Sequence, residues 1–303
     1  MNFDDLDPTK DYVIRHHYHK NYNSGLGDYF RCSFALFCHF RNMDNDIFRD
    51  KGGSIFLIPY FEGHPLEKYF VNPQERPNTT YINISSNSFN GFDYTKTTEN
   101  DKKDYLEMLS KFLTDSTRSI IADEFEKFPF CVAIHIRCGD AFCDVPNPHV
   151  RFDEGHYDEI ISNLLNLRKY IGEYIPIRLF SDSSKLKRMI INKFKNDENF
   201  YTSNLAPVHT ALSRKGEDQL WSLVEFFLLF RAKHIYTFIS RSDNRKSIST
   251  FSFTPAFLKS IPIKCIYYNK KNSKTYVRNI SNYNLFYEVI QEKYLDYNVL
   301  CYI

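Results

Sequence analysis

Val132-Ala133-Ile134-His135-Ile136-Arg137-Cys138-Gly139-Asp140 is the stretch from which the fold of this chain is read. Val132, Ala133, Ile134 and Ile136 form a continuous apolar run, the pattern of a strand buried on both faces in a parallel sheet. Gly139 supplies the turn by which the chain leaves that sheet. His135 and Arg137 therefore stand at the carboxyl end of a strand, where open α/β sheets hold their ligands. A guanidinium is always charged and donates in a planar fork, so Arg137 at that lip suits a phosphate. The competing reading is local, with Arg137 and Asp140 as a loop salt bridge and His135 as an interior histidine with satisfied bonds.

Downstream of Pro129 the pattern alternates between strands and helices. Strands are expected over Phe130–Arg137, Ile175–Phe180, near Phe200, and over His234–Ile239 and Ile261–Tyr268. Helices are expected over Tyr157–Tyr170, Ser184–Phe194, Glu217–Ala232 and from Phe251 onward. Such a βαβ succession implies a parallel sheet wrapped by helices. Upstream, a strand over Tyr12–His17 runs into Asn23-Ser24-Gly25-Leu26-Gly27 and then an apolar helix over Tyr29–Phe40, and a further strand covers Ser54–Pro59. Residues 72–100 read as loop with one short strand. Asp101–Phe125 reads as a single helix with Leu106, Leu109, Phe112 and Leu113 on one side.

The 303 residues hold enough apolar material for two domains, and the pattern divides near residues 126–129. Aromatic residues make up 17% of the chain and charged ones 25%, which excludes a disordered or fibrous chain. A net charge of +2 with no basic block gives no expectation of nucleic-acid binding. The start of the sequence is acidic and no segment reaches 18 apolar residues, so neither a secretory leader nor a membrane anchor is expected. The seven cysteines (32, 38, 131, 138, 143, 265 and 301) include no CxxC pair, and they read as reduced thiols in a cytoplasmic protein rather than as disulfides or zinc ligands.

Three further segments carry candidate chemistry. The glycines of Asn23-Ser24-Gly25-Leu26-Gly27 precede a helix and can bring backbone N–H groups and the helix's positive end to a phosphate. In Phe180-Ser181-Asp182-Ser183 one of Asp182 and Ser183 suits an N-cap, which leaves the other over the same sheet edge as Arg137. Glu225 lies inside the apolar run Leu220–Phe230, so its carboxylate needs donors. A lysine or arginine is the ordinary answer, and the paired N1–H and N2–H of guanine is the sharper one. Finally, Ser240, Ser249, Thr250 and Phe251 line the same edge, as small hydroxyls that suit phosphate oxygens but also serve as caps.

Taken in order, these pieces resemble the superfamily of GDP-fucose-dependent fucosyltransferases, comprising α1,2, α1,6 and protein O-linked branches. His135-Ile136-Arg137-Cys138-Gly139-Asp140 is similar to that superfamily's HxRxGD segment, whose arginine holds the β-phosphate of GDP and whose histidine lies against the donor. Phe180-Ser181-Asp182 resembles its second motif. Glu225 stands where the family usually carries an aspartate that reads guanine. The third motif aligns either on Ser240 or on Thr250-Phe251, and the loop from Asn23 to Gly27 resembles the glycine loop facing the diphosphate. The resemblance spans roughly residues 12 to 260.

The resemblance implies a GT-B-like α/β fold of two Rossmann-like lobes, with parallel sheets facing a central cleft. Residues 1–127 would form the acceptor-side lobe, 128–268 the nucleotide-sugar lobe, and 269–303 an extension packing back on the first. It further implies inverting transfer of L-fucose from GDP-fucose to a glycan or protein hydroxyl; no DxD sequence appears near the site and the arginine can do a metal's work, so no metal or other cofactor is expected. Arg137 would stabilise the leaving phosphate; Asp140 and Asp144, in the loop beside it, are the candidate general bases, with His135 third because the resemblance assigns it to donor binding. Asn23, Gly25, Leu26, Gly27, His135, Arg137, Gly139, Asp182, Ser183, Glu225, Ser240, Ser249, Thr250 and Phe251 would bind the donor. The alternatives are a GDP-sugar-binding module without catalysis, a transferase using another nucleotide sugar, and an unrelated nucleotide-binding enzyme in which His135 is the base.

Overall fold

In the computed structural model, residues 3–18, 25–85, 92–138, 156–203, 216–238, 248–269 and 274–280 are described. The chain divides into two compact units, residues 1–118 and 119–303.

The first unit is built on three parallel strands, β1 (Asp11–His17), β2 (Ser54–Tyr60) and β3 (Thr79–Ile84), with β1 in the middle. Helix α1 (Leu26–Met43) follows β1 and packs on one face of the sheet. Its residues Cys32, Leu36 and Phe40 recur at four-residue spacing and meet Tyr12, Ile14, Ile55 and Leu57 from the strands. Gly53 leads into β2 where the chain passes hard against its own N-terminal segment. A Cβ at that position would lie 2.5 Å from the carbonyl oxygens of both Lys10 and Pro8.

The stretch expected as one helix over Asp101–Phe125 is two, α2 (Glu99–Phe112) and α3 (Asp115–Lys127). Helix α2 starts two residues earlier than expected because Thr98 and Asp101 form a capping box. Thr98 Oγ1 accepts from the Asp101 N–H at 3.1 Å, and Asp101 Oδ2 accepts from the Thr98 N–H at 2.8 Å. The break at Leu113-Thr114 is made by a distant segment. Leu113 pairs antiparallel with Phe70, the Val71 N–H donates to the Phe112 carbonyl at 2.7 Å, and the Thr114 N–H donates to the Tyr69 carbonyl at 3.1 Å. Thr114 Oγ1 then accepts from the Thr117 N–H at 3.2 Å, which starts α3. The buried positions of α2 are Lys102, Tyr105 and Leu109, followed beyond the helix by Leu113, so the inward stripe is rotated from the Leu106–Phe112 face read from the sequence.

The second unit carries a six-stranded sheet whose elements, in chain order, are β4 (Val132–Ile136), α4 (Tyr157–Ile171), β5 (Ile177–Ser181), α5 (Ser184–Lys193), β6 (Phe200–Thr202), α6 (Gly216–Leu229), β7 (His234–Phe238), α7 (Thr250–Leu258), β8 (Ile263–Asn269) and β9 (Lys274–Asn279). The spatial order is β6-β5-β4-β7-β8-β9. Strands β4 to β8 are parallel, and β9 returns antiparallel on β8. Strands β4 and β5 are buried at every position, as their apolar runs demand. Val132, Ile134 and Ile136 point to a core shared with Ile160, Leu164 and Leu167 of α4 and with Leu186 and Ile190 of α5. Arg178 of β5, 1% exposed, donates from Nη1 to the Glu124 carbonyl at 2.9 Å and from Nη2 to Glu124 Oε2 at 3.3 Å, tying α3 to the sheet.

Candidate functional site

The chain order and the strand order together locate the site of the second unit. From β4 the chain builds outward through β5 and β6, then crosses back to lay β7 and β8 on β4's other side. The carboxyl ends of β4 and β7 are therefore the point where the winding reverses, the place at which doubly wound sheets hold ligands. Arg137 is the first residue beyond β4. Its Nη1 lies 2.5 Å from Asp182 Oδ2, and its side chain keeps 19% of its surface exposed. The other oxygen of the same carboxylate accepts the Cys138 N–H at 2.7 Å. Asp182 thus clamps both the guanidinium and the backbone at the exit of the strand, each by a charge-assisted bond. Arg137 pairs with Asp182, 45 residues away along the chain, while the competing salt bridge to Asp140 falls on a residue outside the described ones.

Ser183 is the N-cap of α5: its Oγ accepts from the Leu186 N–H at 3.1 Å. Of the two polar residues that follow β5, the serine therefore caps and the aspartate turns to Arg137.

His135, 3% exposed, sits between Phe180 of β5 and Thr237 of β7 in the strand register. Its Nδ1 is 3.1 Å from Ser252 Oγ in α7, and its ring stacks on Phe251 at 5.4 Å between centroids and 27° between planes. Phe251 in turn meets Phe226 of α6 edge-on at 5.4 Å. The start of α7, with Ser249 as its N-cap and Thr250 and Phe251 in its first turn, is thereby brought against the histidine. Among the described residues, no group of three His, Cys, Asp or Glu side chains converges to hold a metal ion.

Glu225, 3% exposed, has the partner a buried carboxylate ordinarily needs. Lys187 Nζ donates to its Oε1 at 2.5 Å, and Ser203 Oγ donates to the same oxygen at 2.9 Å. Lys187 also donates to Ser203 Oγ at 3.2 Å, which closes a triangle joining α5, α6 and the end of β6. Burial pushes the Lys187 amine below its ordinary range, and the Glu225 charge opposes that push. Lys187 was not singled out from the sequence. The available signal is its place beside Leu186 and three residues before Ile190, on the apolar face of α5.

In the first unit, Gly25 is the N-cap of α1, and Leu26 and Gly27 are its first two residues. Tyr29, in the first turn, donates from its hydroxyl to the His16 carbonyl at 2.7 Å and accepts from the Tyr60 N–H at 3.2 Å, which fixes the start of α1 over the carboxyl ends of β1 and β2. Asn23, Gly139, Asp140, Asp144 and Ser240 lie outside the described residues.

No family model matches the sequence and no curated protein matches it. Solved structures do. NodZ α-1,6-fucosyltransferase soaked with GDP-fucose aligns with 90% of this chain and 100% of its own, at 12% identity and a TM-score of 0.53. The same enzyme co-crystallised with GDP aligns over 90% and 99% at 12% identity and a TM-score of 0.50. NodZ comes from Bradyrhizobium. The two chains share an α/β fold. Among the described residues, no helix is long and apolar enough to cross a membrane.

Proposed function

We propose that the protein is an inverting glycosyltransferase that moves L-fucose from GDP-fucose to a hydroxyl of a glycan or protein, without a divalent metal. The observation that carries this reading is Arg137, held by Asp182 at the winding reversal of a sheet whose fold is shared with an enzyme solved after soaking with GDP-fucose. In the reaction the acceptor oxygen attacks the anomeric carbon, the bond from that carbon to the β-phosphate oxygen breaks, and its electron pair leaves with GDP. Arg137 faces the charge that grows on the phosphate. A fixed cation there takes the part a metal plays in other transferases. Asp140, Asp144 and His135 are the proposed acceptors of the hydroxyl proton.

Thermal stabilisation by GDP, UDP, ADP and GMP at matched concentration, with and without EDTA, tests the donor, because a ligand bound to the native state stabilises it by RT ln(1 + [L]/Kd). GDP alone should raise the melting temperature, equally in EDTA, and GDP-fucose should then be consumed in the presence of an acceptor. One observation favours a second reading: Glu225 Oε1 is already taken by Lys187 and Ser203, so the carboxylate that would read guanine is engaged within the protein. Under that reading the donor carries another base, and UDP or ADP matches GDP in the same assay.

A further inference from the structure

Asp182 holds Arg137 by one nitrogen, and which nitrogen it takes decides how an anion can be gripped. A guanidinium offers two forks of parallel N–H bonds, an end fork from Nη1 and Nη2 and a side fork from Nε and Nη2. The ion pair is made through Nη1, 2.5 Å from Asp182 Oδ2. Among the described residues neither Nε nor Nη2 is paired, and neither is sealed from solvent. The side fork is therefore the one with both nitrogens unspent. Asp182 is itself held in place. It stands between Ser181, the last residue of β5, and Ser183, the N-cap of α5, and its Oδ1 accepts the Cys138 N–H at 2.7 Å. An anion that displaced it from Nη1 would strip this cation from a carboxylate only 7% exposed, which is costly. Approach through the side fork keeps the pair and adds two charge-assisted bonds.

We propose that Asp182 is a positioning residue: by holding Nη1 it presents the Nε–Nη2 side of Arg137, so that the anion taken at the end of β4 is a phosphoryl group gripped side-on through two of its oxygens. The catalytic half of this inference rests on the glycosyl-transfer reading above. In that reaction the bond from the anomeric carbon to the β-phosphate oxygen breaks, its electron pair stays on the phosphate, and the two N–H groups of the side fork face the oxygens that share the charge. A carboxylate with no positioning role would act in the opposite sense. It is a negative charge beside an anion site, so its removal alone would tighten anion binding and leave the reaction no slower.

Nitrogen NMR of the arginine side chains, with inorganic pyrophosphate as the probe, reads the fork directly, and the signals lost in Arg137→Lys are those of Arg137. In wild type at low temperature the two Nη signals should be separate before any ligand is added, because Asp182 stops the group from rotating. Pyrophosphate should then move Nε and Nη2 and leave Nη1 in place. Asp182→Asn has one acceptor oxygen for two donors, Nη1 and the Cys138 N–H, so it should merge the Nη signals, and Asp182→Ala should do the same. Arg168 and Arg178, bonded to Asp197 and Glu124, should keep their signals in both variants and so report an intact fold. Pyrophosphate that moves Nη1 in place of Nε, or moves none of the three, overturns the proposal; so do Nη signals that stay separate in both variants. With GDP-fucose and an acceptor, Asp182→Asn should lower kcat about 100-fold with little change in donor KM, because orientation is lost while a repelling charge is also removed. An unchanged kcat with a lowered KM is the result of a carboxylate that does not position, and it overturns the catalytic half. Wild type that turns over no GDP-sugar refutes the transfer reading alone, and the pyrophosphate titration still decides the role of Asp182.

Discussion

Replacing Lys187 by Met is the perturbation that most directly tests the interior of the second unit. Lys187 and Glu225 are 1% and 3% exposed, and among the described residues the amine is the ionic partner of the carboxylate's Oε1. Removing one member of a buried pair leaves an uncompensated charge and costs about 3–5 kcal/mol. Ser203 still donates to Glu225 at 2.9 Å, and a hydrogen bond to a charged group is worth roughly 1.5–3 kcal/mol, so the loss should fall toward the lower end of that range. In a unit of this size each kcal/mol moves the melting temperature by roughly 2–4 °C, giving a fall of about 6–20 °C. Lys187→Met combined with Glu225→Leu should return to within ~1–2 kcal/mol of wild type, because two apolar groups need no pairing. Glu225→Gln adds a direction in pH. Burial already holds the Lys187 amine below its ordinary range, and without the carboxylate it falls further. Over the interval between the folded value and the unfolded one of about 10.4, the unfolded chain binds the extra proton, so the variant's stability rises with pH and does so more steeply than that of wild type. Urea titrations of wild type, Lys187→Met, Glu225→Leu, the double variant and Glu225→Gln at several pH values measure all of this. A Lys187→Met loss under about 1 kcal/mol, or single-variant losses that simply add, would refute the reasoning: Glu225 would then be solvated and open to a ligand base.

Three further outcomes follow from the geometry. Arg137→Ala should lower transfer by ~100- to 1000-fold with the fold intact by circular dichroism, and retention of more than a tenth of the rate would remove Arg137 from the reaction. Gly53→Ala should lower the melting temperature measurably, since its Cβ would sit 2.5 Å from two backbone oxygens that cannot move aside; an unchanged transition would mean the N-terminal segment shifts freely. Burial pushes the Cys38 thiol up to about 12, so it should resist alkylation at pH 8 in the native protein and react on unfolding, as followed by mass spectrometry of the labelled peptides.

The parts of this fold that local sequence pattern determines were legible in it. The run Val132–Ile136 is apolar because both of its faces are covered, and the Gly25 turn marks the start of α1 because a helix must begin where its first N–H groups lack carbonyl partners. What escaped was set by residues far apart in the chain. Nothing near Leu113 announces that Phe70, 43 residues earlier, will pair with it and divide one helix into two. The bond between Arg137 and Asp182 joins the ends of neighbouring strands, and strand neighbourhood is a property of the sheet order, which periodicity does not encode. The same holds for Glu225. Its need for a donor followed from a carboxylate in an apolar helix, whereas the identity of that donor required knowing that α5 and α6 meet at the end of β6.

The clamp that Asp182 places on Arg137 also bears on the entropy of ligand capture. A free arginine side chain carries about 2 kcal/mol of rotamer freedom, which a ligand gripping it in solution has to suppress. Here the guanidinium and the adjoining Cys138 amide are ordered together by one carboxylate when the chain folds. An anion arriving at the end of β4 meets a charge whose direction is already set, so little of its contact energy is spent on arranging the protein.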